Sequence, residues 1–218
     1  LLDIEEYSDY MDGLSRNKEL GITILKGIEV GIQPHVIEKT LELLKEHHFD
    51  FIISSIHVID REDPYAKQFY PGKSREQAYQ RYLEEILYMI KNFKHFDVTG
   101  HFNYVTRNAP YEERSMKYEE HSDVFDEIFR ELICMGKGFE VNTASFRDKN
   151  DGRGVASYDI NILKRYRELG GEVLCLGSDA HSYEYLGYKF DYFKEMISSA
   201  GFKYLTHFEK RKPVHTPI

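Results

Sequence analysis

The sequence has 218 residues, of which 41% are hydrophobic and 30% charged, and its formal net charge is −8. This length and composition predict one globular domain with a substantial core. The acidic balance and the lack of a dense basic block argue against a duplex nucleic acid as partner. The sequence shows no stretch with the length and apolarity of a membrane span and no signal peptide at its start, so we expect no membrane association.

The two cysteines, Cys134 and Cys175, both lie in apolar stretches. We interpret them as free thiols of the core in a reducing compartment, not as a disulfide or a zinc site. A cytoplasmic location is therefore expected.

Apolar periodicity and capping residues predict helices over residues 3–20, 36–48, 74–93, 122–135, 160–169 and 190–199. Apolar and β-branched runs predict strands at 22–31, 49–58, 96–101, 139–143 and 173–177, and a final short strand at 203–208. Ser74 and Gln77 resemble a capping box. Residues 148–154 are predicted to form a glycine-rich loop, and 210–212 a solvated basic tail. Strands that alternate with helices indicate an α/β fold with parallel strands.

Side chains of metal-binding type stand at or just beyond the ends of the predicted strands. They are Glu29, His57, His101, Asn142, Asp179 and His181. In a parallel α/β barrel all strand C-termini open onto one face, so these residues are expected to converge. A single histidine at a strand end is more often a hydrogen-bonded core residue, but the repetition favours a metal site. Imidazoles with carboxylates and without cysteine suit zinc, manganese or iron, and several ligands indicate more than one ion.

Two arginines follow these strand ends in loops on the same predicted face. Arg107 and Arg147 are candidates for binding phosphate, because a guanidinium holds phosphate oxygens in a planar fork. A surface salt bridge is the alternative for each. Nearby aromatic residues are expected either to line a substrate pocket or to pack: Tyr65, Phe69, Tyr70, Tyr104 and Tyr111. The remaining histidines are interpreted as non-ligands: His35, His47, His48, His95, His121, His207 and His215.

Five segments, in this order and spacing, resemble the histidinol-phosphatase branch of the PHP (polymerase and histidinol phosphatase) superfamily. They are GIEVGIQPH, SSIHVID, GHFNYVTRNAPY, EVNTASFR and LGSDAH. The resemblance implies a distorted seven-stranded (β/α) barrel with three metal ions at its C-terminal face. It also implies hydrolysis of L-histidinol phosphate to L-histidinol and phosphate in histidine biosynthesis, with hydroxide attacking phosphorus in line with the leaving alkoxide.

The resemblance assigns a role to each candidate. Glu29 would bridge two metals, and His57 and His101 would complete the ligands of the second. Asp179 would bind the first metal and His181 the third, which makes these two the catalytic candidates. Substrate phosphate would be held by Arg107 and Arg147.

The family pattern also includes an H-x-H motif and a strand ending in Glu-His, ahead of the position of Glu29. These 218 residues contain neither motif. We therefore expect residues 1–218 to form a single PHP domain that is N-terminally incomplete and lacks the first two strands. The first and third metal sites would then each lack two histidines. Two alternatives stay open: a PHP phosphoesterase that acts on another phosphate ester, and a non-catalytic truncated fragment. Open sheet edges also make a homo-oligomer an option.

Overall fold

A parallel sheet of five strands organises the protein. The computed structural model describes residues 3–17, 19, 21–147 and 156–218. The strands are β1 Gly27–Gly31, β2 Phe51–Ser55, β3 Val98–Thr99, β4 Gly138–Asn142 and β5 Leu174–Gly177, and their order in the sheet is their order in the chain. The helices are α1 Ile4–Arg16, α2 Ile37–Glu46, α3 Arg75–Asn92, α4 Ser122–Cys134, α5 Ile160–Glu168 and α6 Phe190–Ser199. The predicted α/β class with parallel strands is confirmed, and all five strands end at the same edge of the sheet.

Local capping explains where two of the helices begin. The Asp3 side chain accepts hydrogen bonds from the backbone N–H groups of Glu5 and Glu6, both at 3.1 Å, and so caps α1. Ser74 and Gln77 form the predicted capping box of α3, with bonds of 3.2 and 2.9 Å. One apolar face of α3 is buried, and Met89 on this face accepts a hydrogen bond of 2.9 Å from Ser54 of β2. The predicted glycine-rich loop at 148–154 lies outside the described residues.

Several predicted strands are shorter in the structure. The first was predicted at 22–31, but its pairing begins at Gly27, which lies opposite Phe51 of β2. Ile22 is 71% exposed, so its β-branched side chain has no packed surface to join. Strand propensity depends on such packing, and for residues 22–26 the prediction was wrong.

The basic residues 210–212 belong to a hairpin, with Lys210 and Arg211 as its turn, and do not form a solvated tail. Strand β6 Tyr204–Glu209 confirms the predicted last strand, and it pairs antiparallel with β7 Lys212–Pro217. Lys210 and Arg211 have φ values of 49° and 65°, which suits a two-residue hairpin turn. The Arg211 Nε donates to the buried Asp97 carboxylate at 2.6 Å. The Lys210 backbone N–H donates to Asp50 at 2.9 Å. These acids precede β3 and β2, so the turn is fixed at the N-terminal edge of the sheet.

The two cysteines have different surroundings. Cys175 in β5 is buried, as predicted, but Cys134 at the end of α4 is exposed. The buried side of α4 is formed by Val124, Phe125, Asp126, Ile128, Phe129 and Leu132. Cys134 lies off this helical face, so its apolar neighbours in sequence did not predict its environment.

Close packing of β4 against residue 173 predicts a large effect for a small substitution. A Cβ atom at Gly138 would lie 1.8 Å from the backbone carbonyl oxygen of Val173. Because a strand backbone cannot move aside cheaply, we expect Gly138→Ala to lower the free energy of unfolding by about 2 kcal/mol or more. The melting temperature of a domain of this size should fall by roughly 4–8 °C in thermal denaturation.

Gly13 in α1 provides the matched control. A Cβ atom there would meet nothing within 4 Å. Gly13→Ala should therefore raise stability by about 0.5–1 kcal/mol, as expected for a helix interior. If Gly138→Ala melted at the wild-type temperature, the close approach of β4 to Val173 would be wrong.

Candidate metal centre

Three predicted ligands meet at the C-terminal edge of the sheet. Glu29 lies within β1, whereas His57 and His101 follow the ends of β2 and β3. The Glu29 Oε1 lies 2.9 Å from Nε2 of His101 and 3.2 Å from Nε2 of His57. The two Nε2 atoms are 3.2 Å apart. Ligand atoms around a tetrahedral ion at 2.0–2.1 Å are about 3.3 Å from one another. The triangle formed by Glu29, His57 and His101 therefore fits one divalent ion.

The surroundings of this triad favour an ionised carboxylate and fixed imidazoles. Burial opposes the ionisation of Glu29, but hydrogen bonds from His101 and His57 outweigh it and hold the pKa of Glu29 well below its usual range. His101 is only 3% exposed. The Tyr104 ring packs against both imidazoles, with centroid distances of 4.9 Å to His57 and 5.3 Å to His101. The Glu29 carboxylate is thus ionised, and the two imidazoles are held in place by packing.

Asp179 and Arg107 lie opposite each other in a cleft that also contains the triad. The Asp179 Oδ2 lies 2.9 Å from Nη1 of Arg107. Arg107 also donates from Nε to Ser145 Oγ at 2.9 Å and from Nη2 to Asn142 Oδ1 at 3.1 Å. Asp179 has a φ of 48°, in the left-handed region. The structure therefore places the predicted ligand Asp179 against Arg107 and not in the triad. Asn142, another predicted strand-end residue, is buried and accepts a hydrogen bond from Arg107.

Arg147 and His181 belong to the rim of this cleft. Nη2 of Arg147 donates to the carbonyl oxygens of Ser178 and Asp179, the latter at 3.1 Å. Its guanidinium lies 4.2 Å from the centroid of the Tyr185 ring. The His181 side chain is 86% exposed, and its Nδ1 lies 3.1 Å from the Asp179 carbonyl oxygen. Both residues line the cleft, and their hydrogen bonds to described residues go to the segment 178–179 and not to the triad.

One open cleft of about 630 Å³ contains all of the predicted site residues except Asn142. Its walls are formed by Glu29, His57, Tyr65, His101, Tyr104, Arg107, Ala144, Arg147, Asp179, His181 and Tyr185. Among the five aromatic residues that were weighed as pocket or packing, only Tyr65 and Tyr104 line the cleft. Phe69 and Tyr70 are 0% and 3% exposed and pack in the core. Tyr111 packs against Tyr70, with ring centroids 5.9 Å apart.

Sequence reasoning missed three residues that shape the cleft. Ser145 fixes Arg107, and Tyr185 lies against Arg147. Glu140 is buried in β4, where its Oε2 accepts a hydrogen bond of 3.0 Å from Asn142 Nδ2. Burial raises the pKa of Glu140 above its ordinary value. The alternation of side chains along a strand was the available signal, because it places Glu140 and Asn142 on the same face of β4.

Comparison with protein families identifies the chain. A model of the PHP domain matches residues 2–144. The chain belongs to the PHP domain family. Histidinol-phosphatase from Lactococcus lactis is 30% identical to this PHP chain over 212 residues, which are 97% of this chain and 77% of the relative. A protein named "Probable histidinol-phosphatase" from Clostridium acetobutylicum is 28% identical over 211 residues, 97% of this chain and 79% of the relative.

A solved structure has the same fold as this PHP chain. It is a crystal structure of histidinol phosphate phosphatase from Lactococcus lactis in complex with zinc, L-histidinol and phosphate. The TM-score is 0.84 at 28% identity, and the match covers 98% of this chain and 80% of the other. The predicted family and fold class are both confirmed.

Proposed function

We propose that this PHP chain is a metal-dependent phosphomonoesterase that hydrolyses L-histidinol phosphate to L-histidinol and phosphate in histidine biosynthesis. The observation that carries the proposal is the triad. Its three ligand atoms lie within 3.2 Å of one another in a cleft that also contains Arg107 and Arg147. The relatives named as histidinol-phosphatases, and the relative in complex with L-histidinol and phosphate, support this substrate.

Glu29, His57 and His101 would hold a divalent ion. Zinc is the first candidate, because the similar structure is a zinc complex, and manganese or iron suits the same donors. Such an ion supplies Lewis-acid polarisation of phosphate oxygens and a source of hydroxide at neutral pH. We propose that Asp179 and His181 bind further ions, three in all, since both line the same cleft.

The remaining residues of the cleft would bind substrate and move protons. Arg107 donates from Nη1 to the Asp179 carboxylate. We assign the position of this carboxylate oxygen to a phosphate oxygen of the substrate. Arg147 is proposed as the second phosphate ligand. We propose that the Asp179 carboxylate accepts a proton from the attacking water, while His181 would act through the ion that it binds. The Tyr65 ring, which is 63% exposed and lines the cleft, offers a face to the imidazole of the substrate.

Turnover of two substrates tests the proposal. The zinc-loaded protein is expected to hydrolyse L-histidinol phosphate with a kcat/KM at least about 100-fold above that for p-nitrophenyl phosphate, because the ammonium and imidazole groups of this substrate can form polar contacts in the cleft that a nitrophenyl ring cannot form. Equal rates, or a preference for the aryl ester, would favour the alternative that this is a PHP phosphoesterase for another substrate. No turnover of either ester by the metal-loaded protein would indicate a non-catalytic fragment.

Arg107→Lys tests the phosphate assignment. The guanidinium reaches Ser145, Asn142 and the phosphate position from three separate nitrogen atoms, whereas the donors of an ammonium all lie on one nitrogen and cannot reach acceptors spread over that fork. We expect a loss of about 1.5–3 kcal/mol in transition-state stabilisation, roughly 10–100-fold in kcat/KM.

The control for this prediction is Arg81→Lys. Arg81 pairs with Asp60 and Glu85 outside the cleft, so its substitution should leave the kinetics unchanged. Wild-type kinetics in Arg107→Lys would contradict the phosphate assignment.

We further propose that residues 1–218 form one PHP domain in the cytoplasm, which the two free thiols support. Within the described ranges, no helix combines the length and the apolarity required to cross a bilayer. We also propose that the protein forms a homo-oligomer. Its molar mass, measured by light scattering during gel filtration, tests this.

A further inference from the structure

A buried acid beneath the cleft has no part in the mechanism proposed above. Glu140 is 7% exposed, and its neighbours in β4, Phe139 and Val141, are both 0% exposed. A buried carboxyl group destabilises a core position unless its partners compensate, so packing alone gives no reason for an acid here. The neighbouring strand makes room for it. A Cβ atom at Gly177 would lie 1.8 Å from Oε1 of Glu140.

Hydrogen bonds connect the carboxyl group of Glu140 to Arg107 through Asn142. Its Oε2 accepts from Nδ2 of Asn142 at 3.0 Å. The Oδ1 of Asn142 accepts from the Ala144 backbone N–H at 2.9 Å and from Arg107 Nη2 at 3.1 Å. Asn142 is 1% exposed, so these protein groups replace the bulk water that would otherwise solvate its amide. Glu140 therefore accepts from the N–H group of the Asn142 amide, while the oxygen of this amide faces the Arg107 guanidinium.

The orientation of this amide matters because an arginine carries only donors. If the Asn142 amide were reversed, its N–H groups would face Nη2 of Arg107, which has no acceptor. Arg107 would then keep its contacts to Ser145 and Asp179 but lose the Asn142 oxygen as an acceptor. A looser guanidinium binds an anion less well, because part of the binding free energy is spent on ordering the side chain.

We propose that Glu140 is a positioning residue for the phosphatase reaction, which orients the Asn142 amide and so aims the Arg107 guanidinium at the substrate phosphate. This inference rests on the proposed function. Glu140 itself is not among the described residues that line the cleft, so it acts through Asn142 and touches no substrate.

Two substitutions of Glu140 separate orientation from packing. Glu140→Gln keeps an oxygen acceptor for Asn142, and we expect kcat/KM within about 3-fold of wild type. Glu140→Leu removes the acceptor. It should weaken the binding of inorganic phosphate to the zinc-loaded protein, measured by calorimetry, by roughly 10-fold and raise KM accordingly. If the leucine variant does not fold, Glu140→Met, which is closer in length to glutamate, takes its place.

A double-mutant cycle identifies the path. In an Arg107→Ala background, Glu140→Leu is expected to change phosphate affinity by less than about 2-fold, because the arginine that it positions is absent. Asn142→Ala should reproduce the loss seen for Glu140→Leu, and the two together should do no more than either alone. Additive losses in the Arg107→Ala background, or wild-type phosphate affinity in Glu140→Leu, would overturn the proposal. Phosphate binding needs no turnover, so the result stands apart from whether L-histidinol phosphate is the substrate.

Discussion

His101→Ala is expected to lower kcat/KM for L-histidinol phosphate by more than about 100-fold. The Nε2 of His101 lies 2.9 Å from Glu29 Oε1 and 3.2 Å from His57 Nε2, so its removal leaves two of three ligand atoms. The side chain is 3% exposed, and no other described histidine lies close enough to replace it in the triad. His57→Ala and Glu29→Gln should have effects of the same order, because metal ligands act as a unit.

Metal content measured by mass spectrometry after gel filtration should fall together with activity in these variants. His35→Ala and His95→Ala are the matched controls, since both side chains are exposed and lie outside the cleft. We expect both controls to keep activity and metal content within about 2-fold of wild type. Comparable losses in the controls and in the triad variants would refute the assignment of the ligands.

Removal of metal by a chelator should abolish turnover, and zinc should restore it. Adding zinc back should also raise the thermal stability of the protein. An ion that binds the folded state alone stabilises it by about 4 kcal/mol when its free concentration is 1,000 times its Kd. For a domain of this size the melting temperature should then rise by roughly 8–16 °C on loading.

A variant that combines His57→Ala with His101→Ala provides the reference for this experiment. Its melting temperature should rise much less with zinc than that of the wild type, because only Glu29 of the triad is left. Full activity in rigorously metal-free wild-type protein would show that the reaction does not need the ion.

Much of the fold could be predicted from local patterns. Helix α6 has the predicted bounds, 190–199, and the capping box at Ser74 is where the sequence placed it. The excess length predicted for the first strand has a physical cause. Residues 22–26 carry β-branched side chains, but composition does not tell whether a partner strand lies beside them.

The hairpin turn escaped prediction because its chemistry is unusual. Turns with positive φ at both central residues favour Asn and Gly, whereas Lys210 and Arg211 stand here. Their conformation is compensated by hydrogen bonds to Asp50 and Asp97, which lie more than a hundred residues away in sequence and therefore leave no local signal.

The candidate site divides in a similar way. Glu29, His57 and His101 were predictable, because parallel strands in chain order bring their C-terminal ends together. The pairing of Asp179 with Arg107 was not. It depends on the left-handed backbone at Asp179 and on the orientation of a guanidinium held by Ser145 and Asn142. Such details arise from side-chain packing, which the periodicity of a sequence does not report.

The attachment of the β6–β7 hairpin separates two demands on the protein. Its turn is anchored beside the N-terminal ends of β2 and β3, through Asp50 and Asp97, while His57 and His101 of the triad follow the opposite ends of these strands. Substitutions that strengthen this anchorage act a full strand length from the reacting phosphate. Adaptation to a warmer habitat could therefore proceed through the hairpin without the loss of catalytic rate that often accompanies rigidity near an active site.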